Sequence, residues 1–250
     1  VSFENKQVEA HVESLFAPGR SLAEVKFSVD QMAGGSTVSA RAALNEMIAS
    51  LKHMATGANT SGERLKLLKQ FIYEPGEWNG HRPFAYDHSD PLGKDQSNRY
   101  LAKYFETRAG NCITMPMLFV FLGRSIGLDL TFAQAPLHIF VKFKDDDGQV
   151  WNLEPTSGGG FTRDAKYRRD LPMSDEAVSK GTYLRALSET ENAAVIAAFL
   201  VEHFIATGRY KDAIVAADVI LRHSPRDVYV HLKRGTAFYY LLKRDFLAHY

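Results

Sequence analysis

The sequence contains a single cysteine in 250 residues. It can therefore form neither an intramolecular disulfide nor a cysteine-rich zinc site. It also lacks any charge imbalance: 30 basic against 29 acidic residues leave a formal net charge of +1. That excludes the broad basic footprint of a nucleic-acid-binding protein or of one held on an acidic membrane surface. Long apolar runs are missing too. Runs such as Met115 to Gly123 fall far short of the roughly 20 residues needed to span a bilayer as a helix. There is no methionine at position 1, which suggests either removal of a signal segment or a trimmed chain. An exported or periplasmic location is accordingly expected over a cytoplasmic one. The last residues, Leu247 to Tyr250, stop inside a helical pattern and look trimmed as well.

What is present is ordinary in bulk: 45% hydrophobic and 24% charged residues, enough for a core of normal size. The length suits one large domain, or one with a smaller appendage. Residues 1–73 are predicted helical. Ser21 before Leu22-Ala-Glu24 is a capping-box opening for a helix that ends near Gly34-Gly35. Thr37 to Met54 has helical spacing, and a further helix opens at Ser61 and stops before Pro75-Gly76. Residues 75–95 are predicted to be a long loop. Helix resumes from Ser97 to Thr107. From Cys112 to Ile126 the chain is apolar on nearly every face, the mark of a buried central helix. Two or three strands are expected next, at Leu128–Gln134, which alternates loosely, His138–Phe143 and Val150–Glu154, the last two joined by the turn at Asp145–Gly148. Residues 161–187 are basic and irregular; Arg163, Lys166, Arg168 and Arg169 are most simply a solvated face. From Asn192 onward Leu200, Phe204, Gly208, Tyr210, Ala213, Ala217, Ile220 and Pro225 match the positions of a tetratricopeptide repeat. A poorer second copy starts near Asp227, with Ala237, Tyr240 and Phe246.

The chemistry centres on the lone thiol. Asn111-Cys112 lies at the entry to the central helix, where amides without helical partners and a partial positive charge favour a thiolate and can hold an oxyanion. His138 opens a strand and is a candidate base. Strand alternation puts Asn152 and Glu154 on one face. A three-residue loop at Asp146–Gly148 would bring that face to the same side as His138, with His138 opposite residue 156 and Glu154 on the diagonal. An even-numbered loop would separate them. Asn152 is the alternative group to orient the histidine. Asn98, Tyr100, Tyr104 and Asn111 are candidates for the oxyanion pocket. His81, His88 and Asp90 are too few and too loosely spaced to suggest a metal site, and no metal or cofactor is expected.

These segments together resemble the transglutaminase-like superfamily. The resemblance rests on Arg108-Ala-Gly110-Asn-Cys112 before an apolar helix, a strand led by His138, and Trp151-Asn-Leu-Glu154-Pro-Thr156. It extends over roughly residues 20–250 and is greatest to the SirB-type branch, in which a helical region precedes the core, a Gly-Gly pair follows the acid and tetratricopeptide helices close the chain. Asn98-Arg-Tyr-Leu101, Gly158-Gly159 and residues 192–250 fit that layout. The resemblance implies an α+β fold: a papain- or transglutaminase-like core at 1–187, with its Cys-bearing helix on a small antiparallel sheet, then tetratricopeptide hairpins at 188–250. It also implies a Cys112–His138–Glu154 triad, and so a peptidase, an amidase or a transglutaminase-like acyltransferase acting on a protein or peptide. The family's usual aspartate before Pro155 is replaced by Glu154, one methylene longer, so the histidine must sit further back. Members of that branch without an intact triad imply the alternative, an inactive scaffold that binds protein partners through its helices.

Overall fold

The computed structural model describes residues 3–247, and side chains from Lys6 onward. Position 1 and residues 248–250, on which the readings of trimmed ends rest, lie outside the described residues. In chain order the helices are α1 (Phe3–Ser14), α2 (Leu22–Met32), α3 (Val38–Met54), α4 (Ser61–Tyr73), α5 (Leu101–Thr107), α6 (Thr114–Ser125), α7 (Asp164–Asp170), α8 (Asp175–Ser179), α9 (Glu189–Ala206), α10 (Tyr210–His223) and α11 (Val228–Asp245). The strands are β1 (Ala85–Tyr86), β2 (Ala109–Gly110), β3 (Asp129–Ala135), β4 (His138–Lys144), β5 (Val150–Glu154) and β6 (Gly160–Thr162). The fold is α+β. No helix among the described residues is long and apolar enough to cross a membrane.

The chain forms two compact units, Ser36–Leu187 and a second made of Val1–Gly35 with Ser188–Tyr250. This differs from the sequence expectation, which put the first 35 residues in the core domain. In the structure α1 packs on α10 and α2 on α9. Local pattern marks an amphipathic helix without saying which distant element it covers.

In the unit at 36–187, β3-β4-β5-β6 form a four-stranded antiparallel sheet, and β1 pairs in parallel with β2. Helix α6 packs on β3 and β4. Its side chains from Met115 to Leu122 are all buried, which is why the sequence is apolar on every face there. Gly127, at φ +79°, ends it in the left-handed conformation that glycine tolerates. Helix α4 opens at Ser61, as the sequence suggests, with Thr60 as its cap. Thr60 and Glu63 close a capping box, and Ser61 exchanges hydrogen bonds with Asp146 at the β4–β5 turn. The expected helix at 97–107 is split into a 3₁₀ turn at Gln96–Arg99 and α5, because Tyr100 is extended (ψ 136°). Behind the sheet, Ala133, Ala135, Phe140, Tyr167 and Leu184 make a small core, with Leu171, Met173, Val178 and Tyr183 at its margin. Residues 161–187 thus carry the end of β6 and the short helices α7 and α8 with an apolar face on the sheet, where composition shows a basic, irregular stretch.

In the other unit, α9 and α10 form an antiparallel hairpin through Gly208 (φ +73°), and α11 packs on α10. Leu200, Phe204, Ala213, Ala217, Ile220 and Ala237 are all buried. Asp227 caps α11 by accepting from the Val230 N–H. Tyr240 stacks on Tyr210, and Phe246 is exposed.

Candidate active site

Strand register brings the site together. In the β4–β5 pairing Lys144 lies opposite Val150, Lys142 opposite Asn152 and Val141 opposite Leu153. The turn bond from Asp145 N–H to Gln149 O leaves a three-residue loop, 146–148, with Gly148 at φ +81°. That odd count puts His138 and Glu154 on one face of the sheet. His138 Nε2 and Glu154 Oε2 are 2.7 Å apart. This leaves Nδ1 as the ring nitrogen that can face the cysteine, and the Cys112 thiol is near enough to act on the imidazole's protonation. Sγ also lies 3.9 Å from Leu137 O.

The carboxylate of Glu154 is held on both oxygens. Oε2 accepts from His138 and from the Tyr167 hydroxyl at 2.8 Å; Oε1 accepts from Thr156 Oγ1 at 2.6 Å and Thr156 N–H at 3.2 Å. Burial pushes its pKa up, but the hydrogen bond and charge of His138, with Thr156 and Tyr167, outweigh burial and keep it below the ordinary value. Burial would likewise push His138 down. Its hydrogen bonds to Cys112 and Glu154 and the carboxylate charge prevail instead, raising it to about 9. At neutral pH the imidazole therefore carries its proton beside an ionised Glu154.

Several sequence candidates sit elsewhere. Asn152 Nδ2 donates to Asp164 Oδ1 at 2.7 Å, and the carboxylate that meets the histidine ring is that of Glu154. Asn111 does not open into an oxyanion pocket: its Oδ1 accepts from the Ile113 and Thr114 amides, and its Nδ2 donates to Asn98 O. Asn98 donates to Asp90 and braces the loop. Tyr104 is buried against Phe84 beneath Gly110. Tyr100 is half-buried at the break before α5. Cys112 lies two residues before the first residue of α6, and its N–H donates to Pro91 O at 3.3 Å. The amides expected to face an oxyanion at this helix start thus have partners, because Asn111 and the loop at 85–95 supply acceptors that spacing alone does not reveal. Among the described residues no group of three or more His, Cys, Asp or Glu could hold a metal ion.

The sequence reading missed three residues around the site. Tyr86 on β1 is paired with Gly110, and its phenol is raised by burial and by the nearby Cys112 and Glu154. Thr156 was placed opposite His138 by register, but its role as a clamp on Glu154 was not seen. Tyr167 comes from α7, and no local signal points to it.

A family model described as the transglutaminase-like superfamily matches residues 38–197. A UPF0162 protein of Xylella fastidiosa strain Temecula1 is 28% identical over 187 residues, covering 73% of this chain and 63% of its own. The corresponding protein of strain 9a5c is 30% identical over 191 residues, with the same coverage. The chain thus spans less than two thirds of the length of these relatives. No solved structure matches it significantly.

Proposed function

The chain belongs to the transglutaminase-like superfamily, and from that membership and the Cys112–His138–Glu154 geometry we propose a thiol acyl-transfer enzyme, most simply a peptidase or amidase acting on a protein or peptide. The observation that carries the reading is a buried, doubly clamped carboxylate 2.7 Å from a histidine that neighbours the chain's lone thiol. The sulfur of Cys112 attacks the amide carbon and a C–S bond forms. His138 holds the proton and gives it to the departing nitrogen as the C–N bond breaks. Water then adds to the acyl carbon, returns a proton to His138 and releases the sulfur; an amine in place of water would make the reaction a transglutamination. Glu154 fixes the histidine tautomer and balances the imidazolium charge. The SirB-type placement and tetratricopeptide hairpins belong to the same proposal, supported by Gly158-Gly159 after the acid and by the buried repeat positions of α9 and α10.

One observation favours the second reading, a scaffold without turnover that binds protein partners. Cys112 is only 5% exposed, and its N–H is occupied by Pro91 O. The rate of iodoacetamide labelling across pH separates the two. The enzyme reading expects Cys112 to alkylate at pH 6–7 at least about tenfold faster than free cysteine, with the excess lost in His138→Ala. Labelling no faster than free cysteine would sink it.

A further inference from the structure

Tyr167 reaches the site from α7, outside the three segments that carry the triad. Its ring is 3% exposed and stacks on Phe140 with centroids 4.2 Å apart. A phenylalanine would fill that space equally well, so packing does not account for the hydroxyl. Buried without a partner, a hydroxyl costs free energy. Here it donates at 2.8 Å to Glu154 Oε2, the oxygen that also meets His138 Nε2. Burial and the Glu154 charge hold the phenol's own proton on far above the ordinary range, so it remains a neutral donor.

We propose that Tyr167 is a positioning residue of this site, its phenol fixing the Glu154 carboxylate in the plane of His138 and sharing the lone pairs that would otherwise serve the imidazole alone. The inference rests on the acyl-transfer reading for its purpose, though not for its geometry. Two donors on one oxygen compete. The phenol bond is stronger while the carboxylate is not already neutralised by an imidazolium, so it favours the uncharged histidine. Removing it should let His138 hold its proton to higher pH. The groups facing the imidazole are the Cys112 thiol, the Glu154 carboxylate and the Tyr167 ring. Asp164, paired with Lys142 and Asn152, acts on Tyr167 from the same sheet face, and Tyr86 feels Cys112 and Glu154 from β1.

The test is the His138 titration midpoint, read by NMR of the ring protons and from the alkaline limb of the Cys112 alkylation profile. Tyr167→Phe should raise the midpoint by about half a pH unit while leaving the thermal midpoint nearly unchanged. 3-Fluorotyrosine at position 167, a stronger donor of nearly the same shape, should lower it. If neither replacement moves the NMR midpoint, Tyr167 is packing and the inference is overturned. If the NMR midpoint moves as expected but Cys112 alkylates like free cysteine in the unmodified chain, the positioning role stands and the enzyme reading falls.

Discussion

The two compact units bury different things. The helical unit of 1–35 and 188–250 fills its core with small and aliphatic side chains: in α9 and α10 Ala194, Ala197, Ala213, Ala216 and Ala217 let the helices approach, with Phe204 and Ile220 between them. Some polar contacts lie at the rim, as where Arg222 and His223 of α10 meet Glu9 and Glu13 of α1, and its buried charges are paired off, Lys26 with Asp30 within α2 and Glu202 of α9 with Tyr229 and Lys233 of α11. The unit at 36–187 instead draws a thiol, an imidazole, a carboxylate and a phenol into one sheet end, where each polar atom must find a partner or be paid for. The first is an arrangement for stability and shape. The second gathers four different polar side chains at one point, the arrangement on which the proposed chemistry rests.

The sharpest way to break that comparison is Glu154→Gln. Losing the carboxylate charge should cost about 10²–10⁴-fold in kcat/KM on a cleavable amide or ester, by analogy with neutralising the acid of a catalytic triad. It should also bring His138 from about 9 back toward its ordinary value. Assay and histidine titration check both; a variant as active as the parent would show Glu154 to be structural.

Phe204→Ala should do the opposite. Phe204 is 2% exposed, and its loss should destabilise the helical unit by about 3–5 kcal/mol in urea unfolding, while the pH profile of Cys112 alkylation stays where it was. A profile that moves with Phe204 would mean the two units do not divide labour as described.

The smallest effect is the pH dependence of stability. His138 has a raised pKa in the folded protein, so the stability it contributes is fully present below about pH 6.5 and is lost as the pH rises through about 9, on the order of 3 kcal/mol. Glu154 is lowered, so its share is present above about pH 4.5 and is lost on acidification. Urea midpoints at pH 6 and pH 10 should fall more for the parent than for His138→Gln; equal falls would remove the charge from the account.

Much of the site could be read from the chain because the relevant rules are local. The alternation of a strand and the length of one turn tie His138 to Glu154, and Gly148 is the residue such a turn requires. The same locality misplaced Asn111. An amide beside a helix start can serve an oxyanion or cap the helix, and only the coordinates show Oδ1 taking the Ile113 and Thr114 amides. Pro91 closing on the Cys112 N–H, and the first 35 residues joining the last 63 rather than the core, are contacts across long stretches of chain.

By itself, then, the sequence determined the central helix, three of the strands and the hairpin parity that ties His138 to Glu154, since each follows from periodicity, caps and turn length within a few residues, while the α+β core came from the family resemblance. Tertiary structure decided that Tyr167 clamps the second carboxylate oxygen and which donors at the helix start are already taken. Those outcomes depend on where α7 and the loop at 85–95 come to rest, and their positions are set by packing against distant residues, which no local pattern encodes.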